Sequence, residues 1–158
     1  KNKLKSNIPN IKLHIAGSGK SELKLKELVK KYSLQKYVIF HGFVNEKEKM
    51  RLLQQSWLFI QPSIKEGWGI GVLEANRCGT TALVFNVPGL NEAVLNNKTG
   101  FHINNINELN KKTILILKNK KIRDKMSKEA YNWSKNFNWD KTANDTLKFL
   151  YETIKLHR

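Results

Sequence analysis

Two carboxylates eight residues apart, Glu66 and Glu74, bracket three glycines at alternate positions, Gly67, Gly69 and Gly71. An apolar run, Trp57–Gln61, leads in and is stopped by Pro62. Ile70–Arg77 follows with a helical pattern, so the order is strand, Gly-rich loop, helix. The first turn of such a helix offers free backbone N–H groups and a partial positive charge. Glycines there put no side chain in the way, so the loop can cradle an anion, above all a phosphate. Glu74 lies one to two turns into the helix, where a carboxylate suits a ribose diol. Glu66, at the loop, is placed to hydrogen-bond sugar hydroxyls. The same residues also have plainer readings. Glu66 reads as a helix cap favoured by the dipole, the glycines as turn punctuation, Trp68 as loop packing. Glu74 stands between Leu73 and Ala75 in an apolar helix. A buried carboxylate without a partner would be costly there, which favours a ligand role.

The elements that must hold these groups alternate along the chain. Strands are expected at Ile11–Ala16, Tyr37–Phe40, Trp57–Gln61, Thr81–Phe85 and Phe101–Ile103. Helices are expected at 21–33, after an Asn45/Glu48 capping box, at Ile70–Arg77 ending on Gly79, and at Asn91–Leu95. Three more fall at 107–118, 121–135 and 140–156, the last with an apolar stripe of Ala143, Leu147, Leu150, Tyr151 and Ile154. The strands are nearly continuous apolar runs, as expected when both faces are covered. This predicts an α/β fold with a doubly wound parallel sheet and extra C-terminal helices. Ligands then bind beyond the C-terminal strand ends, at loops 17–20, 42–45, 62–69 and 86–91.

Composition narrows the class. The chain has 158 residues, 40% hydrophobic and 27% charged, which fits one globular domain and excludes collagen-like, mucin-like and wholly disordered chains. Its longest strongly apolar run, Trp57–Ile60, is too short to cross a bilayer. Cys78 is the single cysteine, so no intrachain disulfide forms, and no secretory leader pattern opens the chain. A reduced, cytoplasmic setting is expected, and the three N-x-S/T sequons read as by-products of an Asn-rich sequence. Net charge is +16, from 25 Lys and only 4 Arg among the basic residues. Most of it lies outside residues 51–100, whose net charge is only +1. Arg is the better tool for bidentate phosphate and base contacts, so solvated lysine faces are favoured over a nucleic-acid patch. His14 alternates with apolar strand residues and reads as structural, while His41 lies in a cleft-facing loop. His102 and His157 lack acidic or Cys company for a metal site. Cys78 reads as a small core residue.

The E-x7-E spacing of Glu66 and Glu74, with Pro62-Ser63 and Glu66-Gly67-Trp68-Gly69, resembles the donor site of retaining GT-B glycosyltransferases. The flanks agree in order and spacing. They are His14–Gly19, Val38–Val44, Gly79 before Thr81–Phe85, Pro88–Glu92 and Thr99–Phe101. The resemblance runs from about residue 11 to 155. It implies the Rossmann-like C-terminal half of a GT-B fold, which binds a nucleotide-diphosphate sugar. It also implies transfer of the glycosyl group, with retention, to a saccharide or lipid-linked acceptor. Glu66 would be the catalytic residue, contacting the donor sugar near the reacting centre. The amides of Gly67, Trp68, Gly69 and Ile70 would face the sugar and diphosphate. Glu74 would hold the ribose, Phe43-Val44 would meet the base, and Gly17 would line the cleft. No cofactor and no catalytic metal would be needed.

The family's diphosphate-neutralising Arg and Lys, from the first strand and helix of this domain, find no match here. Nor does its N-terminal acceptor domain. The resemblance therefore implies a fragment, largely inactive alone, with peripheral contact at the inner face of a membrane. Two rivals remain. A sugar-nucleotide epimerase on the same scaffold should lack the full Pro-Ser…Glu-Gly-x-Gly…Glu run. A basic nucleic-acid module should bind DNA or RNA with steep salt dependence and ignore Glu74.

Overall fold

The computed structural model describes Ile8 and residues 10–156. Five strands alternate with helices: β1 (Leu13–Ala16), α1 (Glu22–Lys31), β2 (Val38–Gly42), α2 (Glu46–Gln55), β3 (Phe59–Gln61), α3 (Ile70–Arg77), β4 (Ala82–Phe85), α4 (Leu90–Ala93) and β5 (Gly100–Ile103). Three helices close the chain: α5 (Ile106–Lys118), α6 (Lys120–Ser134) and α7 (Trp139–Leu156). Every expected element is present, with ends shifted by up to two residues.

All strand pairs are parallel, as the alternation with helices requires. The strands form two hydrogen-bonded groups, β1-β2 and β3-β4-β5. In the second group side-chain alternation decides the packing. Ala82 and Val84 face one side, with Val72, Leu90, Ala93 and Val94. Leu83 faces the other, with Phe101, Ile103, Ile116 and Met126. Both faces are therefore covered, as expected for parallel strands.

The expectation of cover on both faces fails for the first group. β1 has no buried residue and Leu13 is 48% exposed. α1 buries none of its residues either. A single short helix cannot cover two faces of a two-stranded ribbon. The apolar stripe of α7, including Leu147, Leu150, Tyr151 and Ile154, is exposed as well.

Helix ends follow from local chemistry. The Asn45, Asn105 and Asn119 side chains accept from first-turn amides of α2, α5 and α6. Of the expected capping box only the Asn45 half forms, because Glu48 turns to Arg51 instead. α3 stops where Gly79 takes a positive φ of 76°, the usual left-handed exit. Two buried threonines tie the approach to β4 to its neighbours. Thr80 Oγ1 donates to the Leu53 carbonyl at 2.6 Å, and Thr81 Oγ1 to that of Thr99 at 2.9 Å.

Candidate functional site

Because the strands are parallel, their C-terminal ends share one side, and the loops carrying the expected site residues emerge there. The loop after β3 is folded by its own strand. Gln61 Nε2 donates to Ser63 Oγ at 3.0 Å and to Glu66 Oε2 at 3.2 Å, which fixes the Glu66 carboxylate over the strand end. The loop is backed by the next one. A Cβ on Gly89 would sit 2.5 Å from the Gly67 carbonyl oxygen and 2.9 Å from that of Glu66. Only glycine at 89 permits this backbone-on-backbone contact, and its φ of 81° requires glycine as well.

The glycines of the loop divide by role. Gly69 is buried, takes a φ of 74° as the residue before α3, and would push a Cβ to 2.9 Å from Leu90 Cδ2. Its identity is explained by packing. Gly71 lies against the Phe59 ring. A Cβ on Gly67 would meet open space, so no packing contact requires glycine there. α3 has no side-chain cap, unlike the three Asn-capped helices. The Val72 and Leu73 N–H groups donate to the Gly69 carbonyl, which leaves the Ile70 and Gly71 amides open to an anion, with the dipole favouring negative charge.

Glu74 needs a correction. Its carboxylate is not an isolated buried charge. Lys49 Nζ, on α2, lies 2.8 Å from Glu74 Oε1 and also bonds Glu46. The cost of an unpartnered buried charge therefore does not arise at Glu74, which stands on the second turn of α3. Sequence reasoning missed Lys49. The available signal was a lysine one turn past the Asn45 cap, beside the Phe43-Val44 loop. Both carboxylate bonds hold the Lys49 ammonium above its usual pKa, Glu74 contributing first.

Gly17 and Gly42 join the ends of β1 and β2 by a 2.7 Å bond from the Gly17 N–H to the Gly42 carbonyl. Phe43 beyond them is 85% exposed, and Val44 is half-buried. Ile70 is exposed on the first turn of α3. Trp68 packs its ring edge-on against Phe137, 5.8 Å between centroids, and Trp133 meets Phe137 at 5.1 Å. The Trp68 side chain thus anchors the loop to the α6–α7 joint and leaves its amide to the site. His14 Nδ1 and His41 Nε2 are 2.8 Å apart, so the two histidines are partners. Cys78 Sγ lies 3.8 Å from Met50 Sδ, and burial raises its thiol pKa, which suits a packing residue. Among the described residues no three His, Cys, Asp or Glu side chains cluster as metal ligands, and no helix is long and apolar enough to cross a membrane. His157 lies outside the described residues.

This arrangement is a helix start without a side-chain cap, flanked by two oriented carboxylates, on an α/β scaffold. The family described as glycosyl transferases group 1 matches residues 2–133. The chain belongs to that family. A D-inositol 3-phosphate glycosyltransferase from Arthrobacter sp. is 27% identical over 157 residues, 96% of this chain and 37% of the relative. An N,N'-diacetylbacillosaminyl-diphospho-undecaprenol alpha-1,3-N-acetylgalactosaminyltransferase from Campylobacter jejuni is 32% identical across 67% of this chain and 29% of its own. The first curated relatives are spanned over 24–40% of their length. Among solved structures, the catalytic domain of cholesterol-alpha-glucosyltransferase from Helicobacter pylori is 29% identical with a TM-score of 0.72, covering 82% of this chain and 81% of that one. A TarM mutant from S. aureus, solved with fondaparinux, alpha-GlcNAc-glycerol and UDP, has a TM-score of 0.84 at 20% identity, over 92% of this chain and 30% of its own. The group 1 chain described here therefore has the C-terminal-half architecture of GT-B glycosyltransferases.

Proposed function

We propose that this chain is the donor-binding domain of a retaining glycosyltransferase. It takes a nucleotide-diphosphate sugar and passes the glycosyl group to a saccharide or lipid-linked acceptor. In this reading the diphosphate sits at the uncapped start of α3, against the amides of Gly67, Trp68, Gly69 and Ile70. Glu74 accepts the ribose hydroxyls, and the Phe43-Val44 backbone meets the base beside Gly17. Glu66, steadied by Gln61, binds the donor sugar next to the bond that breaks. The protein's work is positioning and stabilisation of the negative charge that builds on the leaving diphosphate. No resident cofactor is called on. The acceptor is held by a domain outside this chain, so the chain alone binds donor and turns over little. The setting is the cytoplasm, at the inner membrane face where the acceptor is lipid-linked.

The observation that carries this reading is the one loop that joins an uncapped helix start to an oriented carboxylate, packed backbone-on-backbone against Gly89. The UDP bound by the structurally similar TarM supports a nucleotide ligand. The test is ligand-observed NMR of the 158-residue chain against UDP, GDP, ADP and their sugar conjugates. Saturation transfer to one nucleotide, lost in Glu74→Ala and mildly salt-sensitive, is expected. Nucleic-acid binding that falls steeply with salt and ignores Glu74→Ala would overturn the reading.

A further inference from the structure

We propose that Lys49 is a positioning residue for the donor, holding the Glu74 carboxylate at the ribose and tying the base-side loop to α3. The inference rests on the donor-site reading of Glu74. Lys49 Nζ is 2.8 Å from Glu74 Oε1, and 3.0 and 2.9 Å from the two carboxylate oxygens of Glu46. Among the described residues Glu74 Oε2 has no hydrogen-bond partner, so one oxygen is pinned and the other is left to accept from a diol.

The location gives the contact its consequence. Lys49 stands on the first turn of α2, four residues after Asn45, whose side chain accepts from the Glu48 N–H and fixes the exit of the Phe43-Val44 loop. Glu74 is on the second turn of α3, the helix that starts at the Gly-rich loop. One ammonium therefore joins the element beside the base to the element beside the phosphate and ribose. The side chains of Lys49 and Glu74 are only 28% and 31% exposed, so solvent weakens this pair less than an open surface pair. A glutamate with three free torsions loses rotamer entropy when a ligand fixes it, and Lys49 removes that cost before the ligand arrives. Lysine suits the task because a compact charge can meet carboxylates from two helices at once.

The experiment measures binding of UDP, GDP and ADP, each beside its 2′,3′-dideoxy analogue, by isothermal titration. The wild-type chain, Lys49→Met, Lys49→Arg and Glu74→Gln are compared, with thermal unfolding of each. The wild-type chain should prefer one ribonucleotide over its dideoxy form by roughly tenfold or more. Glu74→Gln and Lys49→Met should both lose most of that preference, and Lys49→Arg should keep it. A clip with a purely structural role would weaken both nucleotide forms equally in Lys49→Met and leave the ratio intact, which overturns the inference while the reading of Glu74 stands. If Glu74→Gln itself keeps the ratio, or no nucleotide binds the wild-type chain, the reading of Glu74 falls and the inference with it.

Discussion

The unit β1-α1-β2 and the unit β3–β5 are written in the same pattern, strand then helix then parallel strand, yet they are packed differently. Every buried apolar residue among the described ones lies between Leu52 and Ala130. β4 is buried along three of its four residues, whereas β1 and α1 bury none. The β3–β5 unit has helices on both faces, and its loops are locked by glycines that admit no Cβ. The β1-β2 unit is held by backbone pairing, the Gly17–Gly42 bond and the His14–His41 pair. The carboxylates and the helix start of the site stand on the rigid unit. The residues expected to line the cleft and meet the base, Gly17 and Phe43-Val44, stand on the softer one, and the Lys49–Glu74 bridge joins the two sides.

Glycine substitutions should separate the two units most sharply. A Cβ at Gly100 would lie 2.1 Å from the Ala82 carbonyl oxygen, whereas at Gly17 nothing lies within 4 Å. Gly100→Ala should cost about 3 kcal/mol or more and part β4 from β5, while Gly17→Ala should cost about 1 kcal/mol of backbone strain alone. Urea unfolding of both variants measures the gap, and equal losses would erase the distinction. Core truncation gives the next contrast. Leu83 is fully buried and Leu23 is exposed. Leu83→Ala should lose about 3 kcal/mol and Leu23→Ala no more than ~0.5 kcal/mol in the same assay.

A smaller effect of opposite sign sharpens the picture of the packed unit. Asn76 is fully buried on α3, and neither its amide nitrogen nor its oxygen has a partner among the described residues. An unpaired buried amide costs more than the small void its removal leaves, so Asn76→Ala should raise stability by about 1 kcal/mol. A rise in the unfolding midpoint is the readout, and a fall would mean the amide serves the fold.

The smallest effect belongs to the soft unit and depends on pH. Burial first, then the charge of His41, lowers the His14 pKa below 6.5. The unfolded chain therefore takes up a proton that the folded chain resists. Stability from this pair is fully present above pH about 6.5 and fades as pH falls through that value toward the lower folded pKa. His41→Ala should flatten this part of the stability–pH curve, and an unchanged curve would remove the pair from the account.

Much of this was legible in the sequence, because local signals set it. Apolar runs stopped by Pro62 and Gly42 mark strands, and Asn45 followed by Glu48 marks the start of α2. The Glu66–Glu74 spacing with its glycines marks the loop that the structure places at the strand ends. What stayed hidden depends on contacts distant in sequence. Lys49 and Glu74 are 25 residues apart, and no periodicity pairs them. Gly89 looks like an ordinary turn glycine until the Gly67 carbonyl is seen against it. Apolar runs in β1 announce a strand, but whether a helix covers it is decided by the rest of the fold. Asn76 sits in a regular helical pattern, and its lack of partners follows only from packing.

Native-state hydrogen exchange, residue by residue, with and without the nucleotide that binds, tests the central claim most directly. The account predicts slowest exchange in β4 and β5, at the rate of global unfolding, and faster local opening in β1, α1 and β2. It predicts that nucleotide slows amides at 67–74 and 43–49 together. Protection of β1-β2 equal to that of β4, with no nucleotide effect at 67–74, would contradict it.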